Sequence, residues 1–316
     1  MNLNFNNVNS IFFNGVGVSS IDINGVEAWR AKVSTPFYVE NTTSSSISIY
    51  IKKNISTAPS VTIEKSSDGV TWETVGTTST SNLYIQVPRS SKVYLRSNTT
   101  GWSKVVDGEY RYNYFSSSGR YNVGGNIMSL LYGSNFTGYE TRLIGGFCRL
   151  FYKNTNLWKA STLLLPATTL VGYCYAEMFC ECTSLTTAPI LPATTLAGYC
   201  YWYMFAHCTS LTTAPVLPAI TLVERCYGGM FSTCTSLTAA PELPATTLVE
   251  SCYDSMFINC SALRSVKCLA ENKTATHSTY QWLESARSTG TFTKKTGVSW
   301  PSGVSGIPTG WTVIEV

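Results

Sequence analysis

Residues 165–189 read LPATTLVGYCYAEMFCECTSLTTAP, and this block returns three times. The later copies are LPATTLAGYCYWYMFAHCTSLTTAP at 191–215, LPAITLVERCYGGMFSTCTSLTAAP at 217–241 and LPATTLVESCYDSMFINCSALRSV at 243–266. Their prolines, at 166, 192, 218 and 244, lie 26 residues apart. A period in this range is typical of a solenoid, in which each unit buries its apolar face only by stacking on the next.

The run after each of these prolines predicts an amphipathic helix. On a wheel at about 100° per residue, the residues that all copies share fall on one half and the residues that differ fall on the other. In the first copy the shared residues are Leu170, Cys174, Tyr175, Met178, Phe179 and Cys182, and the varied residues are Gly172, Tyr173, Ala176, Glu177 and Cys180. We expect the shared half to be buried and the varied half to be exposed.

The stretch CTSLTTAP after each expected helix predicts a short strand ended by proline, which has no amide hydrogen to donate. One leucine per copy should point inward and one threonine outward. The leucines are Leu185, Leu211, Leu237 and Leu263, the threonines are Thr186, Thr212 and Thr238, and the prolines are Pro189, Pro215 and Pro241.

A degenerate earlier copy, FCRLFYKNTNL, lies at residues 147–157. Asn154 stands there at the position that Cys182 occupies in the next copy. An Asn or Cys beside a leucine-bearing strand is the mark of leucine-rich repeats. The sequence therefore predicts about five repeat units over residues 141–272.

The run MFxxCTSLTxAPxLPATTL resembles the leucine-rich repeats of the BspA-like kind, found in Bacteroidetes surface proteins and in the phages that infect them. The segments VGGNIMSLLYG at 123–133, WPSGVSGIPTGWTVIEV at 300–316 and NSIFFNGVGVSSIDINGVEAW at 9–29 resemble the same group, the last being common in phage tail proteins. The resemblance implies a multidomain chain with an α/β leucine-rich-repeat solenoid behind a β-rich N-terminal part.

Residues 1–33 predict a small β-hairpin unit that attaches the chain to a particle. Asn14-Gly15 and Asn24-Gly25 each lie between alternating apolar residues, which is a strong hairpin signal. Residues 34–118 predict an immunoglobulin-like β-sandwich, because short β-prone runs recur there at regular spacing. Those runs are 46–51, 60–63, 83–87 and 92–96.

The segment SSDGVTW at 66–72 approaches the Asp-box of sialidases, but it is one residue short and occurs once. We interpret it as a β-turn at Asp68-Gly69 with Trp72 in the core. Residues 119–140 are expected to be a connector and residues 273–316 a cap over the end of the array. The cap should contain a helix from Thr276 to Ala286 and then strands up to the segment at 311–314.

The composition argues against two classes of partner. Of the 316 residues only 13% are charged, and the net charge is +4, so the basic stripe of nucleic-acid binding proteins is missing. No window is long and apolar enough to span a membrane. The first residues, MNLNFNNVNS, lack the pattern of a signal peptide, from which we expect a particle assembled in the host cytoplasm rather than an exported bacterial protein.

The eleven cysteines are expected to be structural thiols, because buried free cysteine behaves as a small apolar residue. The repeat period explains two columns, Cys174, Cys200, Cys226 and Cys252, and Cys182, Cys208, Cys234 and Cys260. Disulfides and a metal site are the alternatives, but zinc-type spacing is missing. In Cys180-Glu181-Cys182 one thiol should point outward. We expect no metal and no cofactor.

The sequence predicts a protein that is not an enzyme. It contains no nucleophile elbow, phosphate loop or HExxH. Glu177 and Glu181 lie on the expected exposed face, where a carboxylate pair for glycoside hydrolysis is conceivable, but no such pair recurs in the other copies. We interpret both as solvated and assign no catalytic residue.

Large side chains cluster among the varied positions of successive repeats. They are Tyr173, Tyr199, Trp202, Tyr203, His207 and Arg225. Neighbouring exposed Trp and Tyr side chains stack on sugar rings or anchor a protein partner. The equal alternative is that they pack on the N-terminal sandwich or on a neighbouring subunit.

The expected function is a phage virion protein, of tail-fibre or capsid-fibre type, that contacts other virion proteins through residues 1–33 and a host-surface glycan or protein through its repeats. The resemblance implies a homo-oligomer, with trimers common among fibres. The alternatives are a bacterial cell-surface adhesin of the BspA-like class and, more distantly, a polysaccharide-degrading enzyme.

Overall fold

The computed structural model describes residues 35–79, 82–138 and 146–316, together with the backbone of four short strands between residues 11 and 30. It is rich in β-structure. Its helical elements, among these residues, are the single α-turn α1 (Ser129–Tyr132) and a 3-10 helix (Gly133–Gly138).

Both expected N-terminal hairpins are present as antiparallel strand pairs. Strand β1 (Ile11–Phe13) pairs with β2 (Val16–Val18), and β3 (Ser20–Ile23) pairs with β4 (Val26–Arg30). The Asn-Gly dipeptides lie between the paired strands in sequence, as two-residue hairpin loops require. The rest of the segment 1–33 lies outside the described residues.

Two sheets follow, and their apolar faces form one core. Their strands are β5 (Tyr38–Asn41), β6 (Ile47–Lys53), β7 (Thr62–Ser66), β8 (Glu73–Thr77), β9 (Leu83–Val87), β10 (Lys92–Arg96), β11 (Ser103–Val106), β12 (Glu109–Ser117), β13 (Tyr121–Asn126) and β14 (Leu157–Leu164). The first sheet has the order β14-β13-β5-β10-β7-β8 and the second the order β11-β12-β6-β9. The alternation in β9 shows why they pack: Leu83, Ile85 and Val87 are buried, whereas Tyr84 and Gln86 are exposed. We call β5–β13 the two-sheet unit.

The turn expected at Asp68-Gly69 is present. The Asp68 carboxylate accepts hydrogen bonds of 2.8 Å from the amides of Val70 and Thr71, and Gly69 takes a positive φ of 78°. Trp72, expected in the core, is instead half-buried, because it lies under the Arg96 guanidinium, 4.2 Å from the ring centroid. The pair is a cation–π contact at the surface.

Within the expected connector at 119–140, residues 121–126 form strand β13 of the first sheet. Strand β13 pairs antiparallel with β5 on one side and parallel with β14 on the other. Because β14 lies within the degenerate first repeat, the two-sheet unit and the repeats share one continuous sheet.

The helices expected after each proline are absent from the described repeats, and so is the helix expected from Thr276 to Ala286. Five turn segments take their place, at 172–181, 198–207, 224–233, 250–259 and 276–285, and a shorter one at 148–153 precedes them in the degenerate copy, which makes six in all. Within the first five segments, amides bond alternately to the residue three positions back and to the next segment. Thus Met178 N–H donates to the Tyr175 carbonyl at 3.2 Å, whereas Glu177 N–H donates to the Trp202 carbonyl at 2.8 Å.

Every fourth residue of a turn segment has a left-handed backbone, which a helix excludes. In the second segment these residues are Tyr173, Glu177 and Glu181, with φ of 58°, 52° and 61°. The shared apolar residues, such as Cys174, Met178 and Cys182, therefore recur with a period of four. The difference from the 3.6-residue period is small over one short segment, which is why the helical wheel also separates the two faces.

The shared residues form the core of the stacked segments, as expected. Leu185, Leu211, Leu237 and Leu263 are fully buried. One aromatic column runs through Phe151, Phe179, Phe205, Phe231 and Phe257, with successive ring centroids 5.3–5.7 Å apart. Phe115 of β12 extends this column, 5.5 Å from Phe151. The two-sheet unit thus covers the first segment as another repeat would.

The strand positions of the repeats pair in parallel. Isolated bridges join Lys159 to Thr187, Leu164 to Ile190 and Thr169 to Thr195. At the far end, β15 (Ser265–Lys267), β16 (Thr291–Lys294) and β17 (Thr312–Glu315) form a parallel sheet. The expected cap therefore consists of a sixth turn segment and two further strands. Trp282 of that segment is fully buried, and its indole N–H donates to the Gly306 carbonyl at 2.9 Å.

Candidate ligand-binding surface

The left-handed positions of the turn segments line up into three columns across the array. The first column is Tyr173, Tyr199, Arg225, Ser251 and His277, the second is Arg149, Glu177, Tyr203, Gly229, Ser255 and Gln281, and the third is Lys153, Glu181, His207, Thr233, Asn259 and Ser285. All three left-handed positions of the repeat thus vary between copies, as do the positions just before them. We call these columns and the residues between them the varied surface.

Four aromatic side chains of the varied surface touch one another. Tyr173 and Tyr199 stack at 4.6 Å with 13° between their planes. Trp202 meets Tyr199 edge-on at 6.1 Å and Tyr203 edge-on at 4.8 Å. These are the geometries that aromatic pairs prefer, so the rings hold each other in place.

Arg225 joins this cluster through Tyr199. Its guanidinium lies 5.7 Å from the Tyr199 ring centroid, and the Tyr199 hydroxyl is 3.2 Å from a carboxylate oxygen of Glu224. His207 is exposed in the third column, and within the described residues no ring contact or side-chain hydrogen bond connects it to the cluster. The structure therefore brings together five of the six expected residues.

Tyr110 of β12 belongs to the same cluster, although sequence reasoning missed it. Its ring lies parallel to Trp202 at 6.5 Å and edge-on to Tyr173 at 6.1 Å. The two-sheet unit thus contacts one margin of the cluster, which is the packing alternative stated above, whereas Tyr199, Tyr203 and Arg225 remain half-exposed away from it. No feature of the repeats themselves indicates this contact, because Tyr110 lies outside them.

Glu177 is buried rather than solvated, contrary to the sequence interpretation. Its carboxylate accepts two hydrogen bonds from Arg149, from Nε at 3.0 Å and from Nη2 at 2.8 Å. The Arg149 guanidinium also lies 4.4 Å from the Tyr110 ring centroid and 4.7 Å from that of Tyr152. Burial opposes the charge of Arg149, but the hydrogen bonds and charge of Glu177 outweigh it and raise the guanidinium pKa.

Glu181 pairs with Lys153 in the third column, at 3.5 Å. The two carboxylates expected to share one exposed face are therefore each engaged by a different cation of the first turn segment.

All eleven cysteines are free and buried. In one column the thiols of Cys182, Cys208, Cys234 and Cys260 lie 3.0–3.1 Å from phenylalanine carbonyls of the preceding segment. The thiol of Cys180, expected to point outward, is only 6% exposed. The ion pairs Arg149–Glu177 and Lys153–Glu181 are its charged neighbours, and burial raises its pKa to about 12.

Asn154 takes the place of the cysteine in the first segment. Its amide group donates to the Phe115 carbonyl at 2.9 Å and to the Tyr121 hydroxyl at 2.6 Å. The longer side chain with two donors connects the first segment to the two-sheet unit. This explains why the cysteine column begins with Asn.

The varied surface also contains a small polar pocket between the third, fourth and fifth turn segments. It has a volume of about 70 Å³ and is lined by Trp202, Tyr203, Arg225, Gly228, Gly229, Ser251 and Asp254. Burial raises the pKa of Tyr203, and the neighbouring carboxylate of Asp254 raises it further. Among the described residues, no group of three or more His, Cys, Asp or Glu is arranged to hold a metal ion.

No family model, curated protein or solved structure matches this chain. In the part of the chain that the structure describes, no helix has the length and apolar character needed to cross a membrane.

Proposed function

We propose that this chain is a non-enzymatic recognition protein that binds a host cell-surface glycan through the varied surface. The observation that carries the proposal is that every left-handed position of the repeat varies between copies. Side chains change from copy to copy at these positions while the stacked core below them stays the same. A binding array needs this separation, because its specificity can then vary without loss of the fold.

The aromatic cluster gives the proposal its chemistry. Half-exposed Tyr199, Trp202 and Tyr203 present rigid rings beside the Arg225 guanidinium, and rings of this kind stack on the apolar faces of sugars. Hydrogen-bonding groups around such rings orient a ligand. The neighbouring Glu224 carboxylate and the Arg225 guanidinium are available for that purpose.

The finer fold assignment is part of the proposal. We propose that the stacked segments are leucine-rich repeats of the BspA-like class and that the two-sheet unit is an immunoglobulin-like sandwich. The buried leucine positions, the parallel strand bridges and the Asn-to-Cys column support the first assignment. Turn segments in place of helices are the departure from the α/β form of such repeats.

We further propose a virion fibre as the setting, with the N-terminal hairpins contacting other virion proteins. The resemblance of the flanking segments to phage proteins supports this proposal. A fibre carries several copies of its chain, and many weak contacts on one particle give strong overall attachment. A bacterial surface adhesin would use the same varied surface.

The proposal is tested with labelled full-length protein and Bacteroidetes cells, either intact or stripped of their capsule. We expect binding to intact cells that is lost on stripping. The double variant Trp202→Ala/Tyr203→Ala should bind less while its circular dichroism stays native. The matched control is Ile220→Thr, because Ile220 is an exposed apolar residue of the same array outside the varied surface, and the other copies have Thr there. Equal binding by native protein and double variant would overturn the proposal.

A further inference from the structure

Two buried polar atoms, on residues that line the pocket beneath Trp202 and Tyr203, have no hydrogen-bond partner. They are the Nε of Arg225 and the Oγ of Ser251, whose residue is fully buried. The nearest carboxylate to Arg225 Nε is that of Glu224, at 3.7 Å, which is beyond hydrogen-bond distance. Buried polar groups are nearly always paired, and both residues line the pocket, so a group bound there would supply the missing partner.

Two consecutive glycines make the space for this pocket. A β-carbon at Gly229 would stand 2.5 Å from the Tyr203 ring, and one at Gly228 would stand 3.2 Å from the Trp202 ring. The rings therefore lie over bare backbone and form one wall of the pocket. Its other polar lining group is Asp254, whose carboxylate accepts a hydrogen bond of 2.7 Å from the Ser255 hydroxyl.

The lining atoms define the chemistry of an occupant. Arg225 Nε can only donate, an ionised Asp254 carboxylate can only accept, and the Ser251 hydroxyl can do both. A hydroxyl group is a small group that can accept a hydrogen bond from Arg225 Nε and donate one to the Asp254 carboxylate. A volume of about 70 Å³ holds one or two such groups, because a water molecule takes about 30 Å³ in the liquid.

We infer that this pocket is a saccharide subsite, which receives one or two adjacent hydroxyl groups of a sugar residue whose ring lies against Trp202 and Tyr203. The inference rests on the proposed function and assigns it a place in the array, between the third and fifth turn segments. A sugar fits both features of this site, because its hydroxyls match the polar lining of the pocket and its C–H faces match the aromatic wall.

The experiment uses the full-length protein and the methyl glycosides of glucose, galactose, mannose and N-acetylglucosamine as probes. Binding is followed by saturation-transfer NMR and by tryptophan fluorescence. We expect at least one probe to bind the native protein. Arg225→Met should weaken that binding about tenfold, since it removes a charged donor, and Ser251→Ala should weaken it by a smaller factor.

The matched control is Ser261→Ala. It makes the same serine-to-alanine change, but Ser261 is exposed and lies outside both the varied surface and the pocket. This variant should keep the native affinity. Ser251→Ala removes an unpaired buried hydroxyl, so it should unfold at the native temperature or above it. Weaker binding by that variant then reflects the pocket and not the fold.

Three outcomes would overturn the subsite. In the first, the pocket holds only an ordered water molecule, which persists in crystals soaked with a probe. Another is probe binding that Arg225→Met and Ser251→Ala leave unchanged, which places the sugar elsewhere. The third is the absence of probe binding in a protein that still attaches to encapsulated cells, which retains the proposed function and rejects this pocket. Failure of both probe binding and cell attachment would overturn the two proposals together.

Discussion

The ring of Tyr203 lies on Gly229 of the next turn segment, so closely that a β-carbon there would come within 2.5 Å of the ring. Gly229 also has a φ of 60°. It is the one glycine in a column of left-handed residues that otherwise carry side chains. Glycine at this position therefore leaves room for the Tyr203 ring and also adopts the left-handed backbone without strain.

Gly229→Ala should therefore displace Tyr203 and lower the stability of the array. We expect a loss of about 1–3 kcal/mol in the free energy of unfolding, from the overlap and from the left-handed backbone, measured by denaturant unfolding. Gly198→Ala is the control, because its nearest neighbour would be a backbone oxygen at an ordinary 3.7 Å. Equal losses in both variants would contradict the close contact of Tyr203 with Gly229.

Arg149→Met should destabilise the junction between the repeats and the two-sheet unit. It leaves the Glu177 carboxylate, which is 7% exposed, without its cation. Removing one partner of a buried pair costs about 3–5 kcal/mol, and we expect about 2–4 kcal/mol here because the side chain of Arg149 is 22% exposed. Thermal unfolding at two salt concentrations measures the effect.

Lys153→Met provides the comparison for that variant. The Lys153–Glu181 pair occupies the neighbouring column, but both side chains are well exposed, at 58% and 40%. Exposed pairs of this kind contribute little, so the unfolding curve should stay close to native. A larger loss of stability in Lys153→Met than in Arg149→Met would contradict the conclusion that Arg149–Glu177 is the stabilising buried pair.

The thiols should be inert in the folded protein. Burial raises the pKa of Cys174, Cys180 and Cys268 to about 12 each, so the reactive thiolate is scarce at pH 8. Ellman's reagent should label almost none of the eleven cysteines in native protein and all of them in denaturant. Rapid labelling of native protein would show that the columns are open to solvent.

Asn154→Ala should loosen the two-sheet unit from the first turn segment. The Phe115 carbonyl and the Tyr121 hydroxyl would each lose the buried amide donor of Asn154. We expect this to lower the free energy of unfolding by about 1–3 kcal/mol. Asn156→Ala is the control, because Asn156 makes one half-buried bond, of 2.9 Å, to the Ser117 carbonyl. Limited proteolysis between the two parts should accelerate only in the first variant.

The repeat period predicts most of the core, because identical residues in stacked copies must meet. The buried leucines, both cysteine columns and the N-terminal hairpins were all expected from the sequence. In the structure the leucines and cysteines are buried and the hairpin strands pair antiparallel. The helices were wrong for a physical reason. A four-residue repeat of left-handed turns places Cys174, Met178 and Cys182 on one face about as well as a helix does.

The candidate site was predictable only in part. Variation among copies identified the half-exposed Tyr199, Tyr203 and Arg225, but not the burial of Glu177 or the contact between Tyr110 and Trp202. The first depends on Arg149 of the degenerate first repeat, and the second on strand β12, which lies outside the repeats. The polar pocket could not be predicted either, since its lining comes from three successive copies and its space from two glycines.

Hydroxyl-radical footprinting tests the central claim most directly. Full-length protein is oxidised with and without capsular polysaccharide from a Bacteroidetes strain to which it attaches. The account predicts that the polysaccharide protects Tyr199, Trp202 and Tyr203, whereas Tyr84, which is 64% exposed on the two-sheet unit, is oxidised equally in both samples. Unchanged oxidation of the three array residues, or protection of Tyr84 in their place, would contradict recognition through the varied surface.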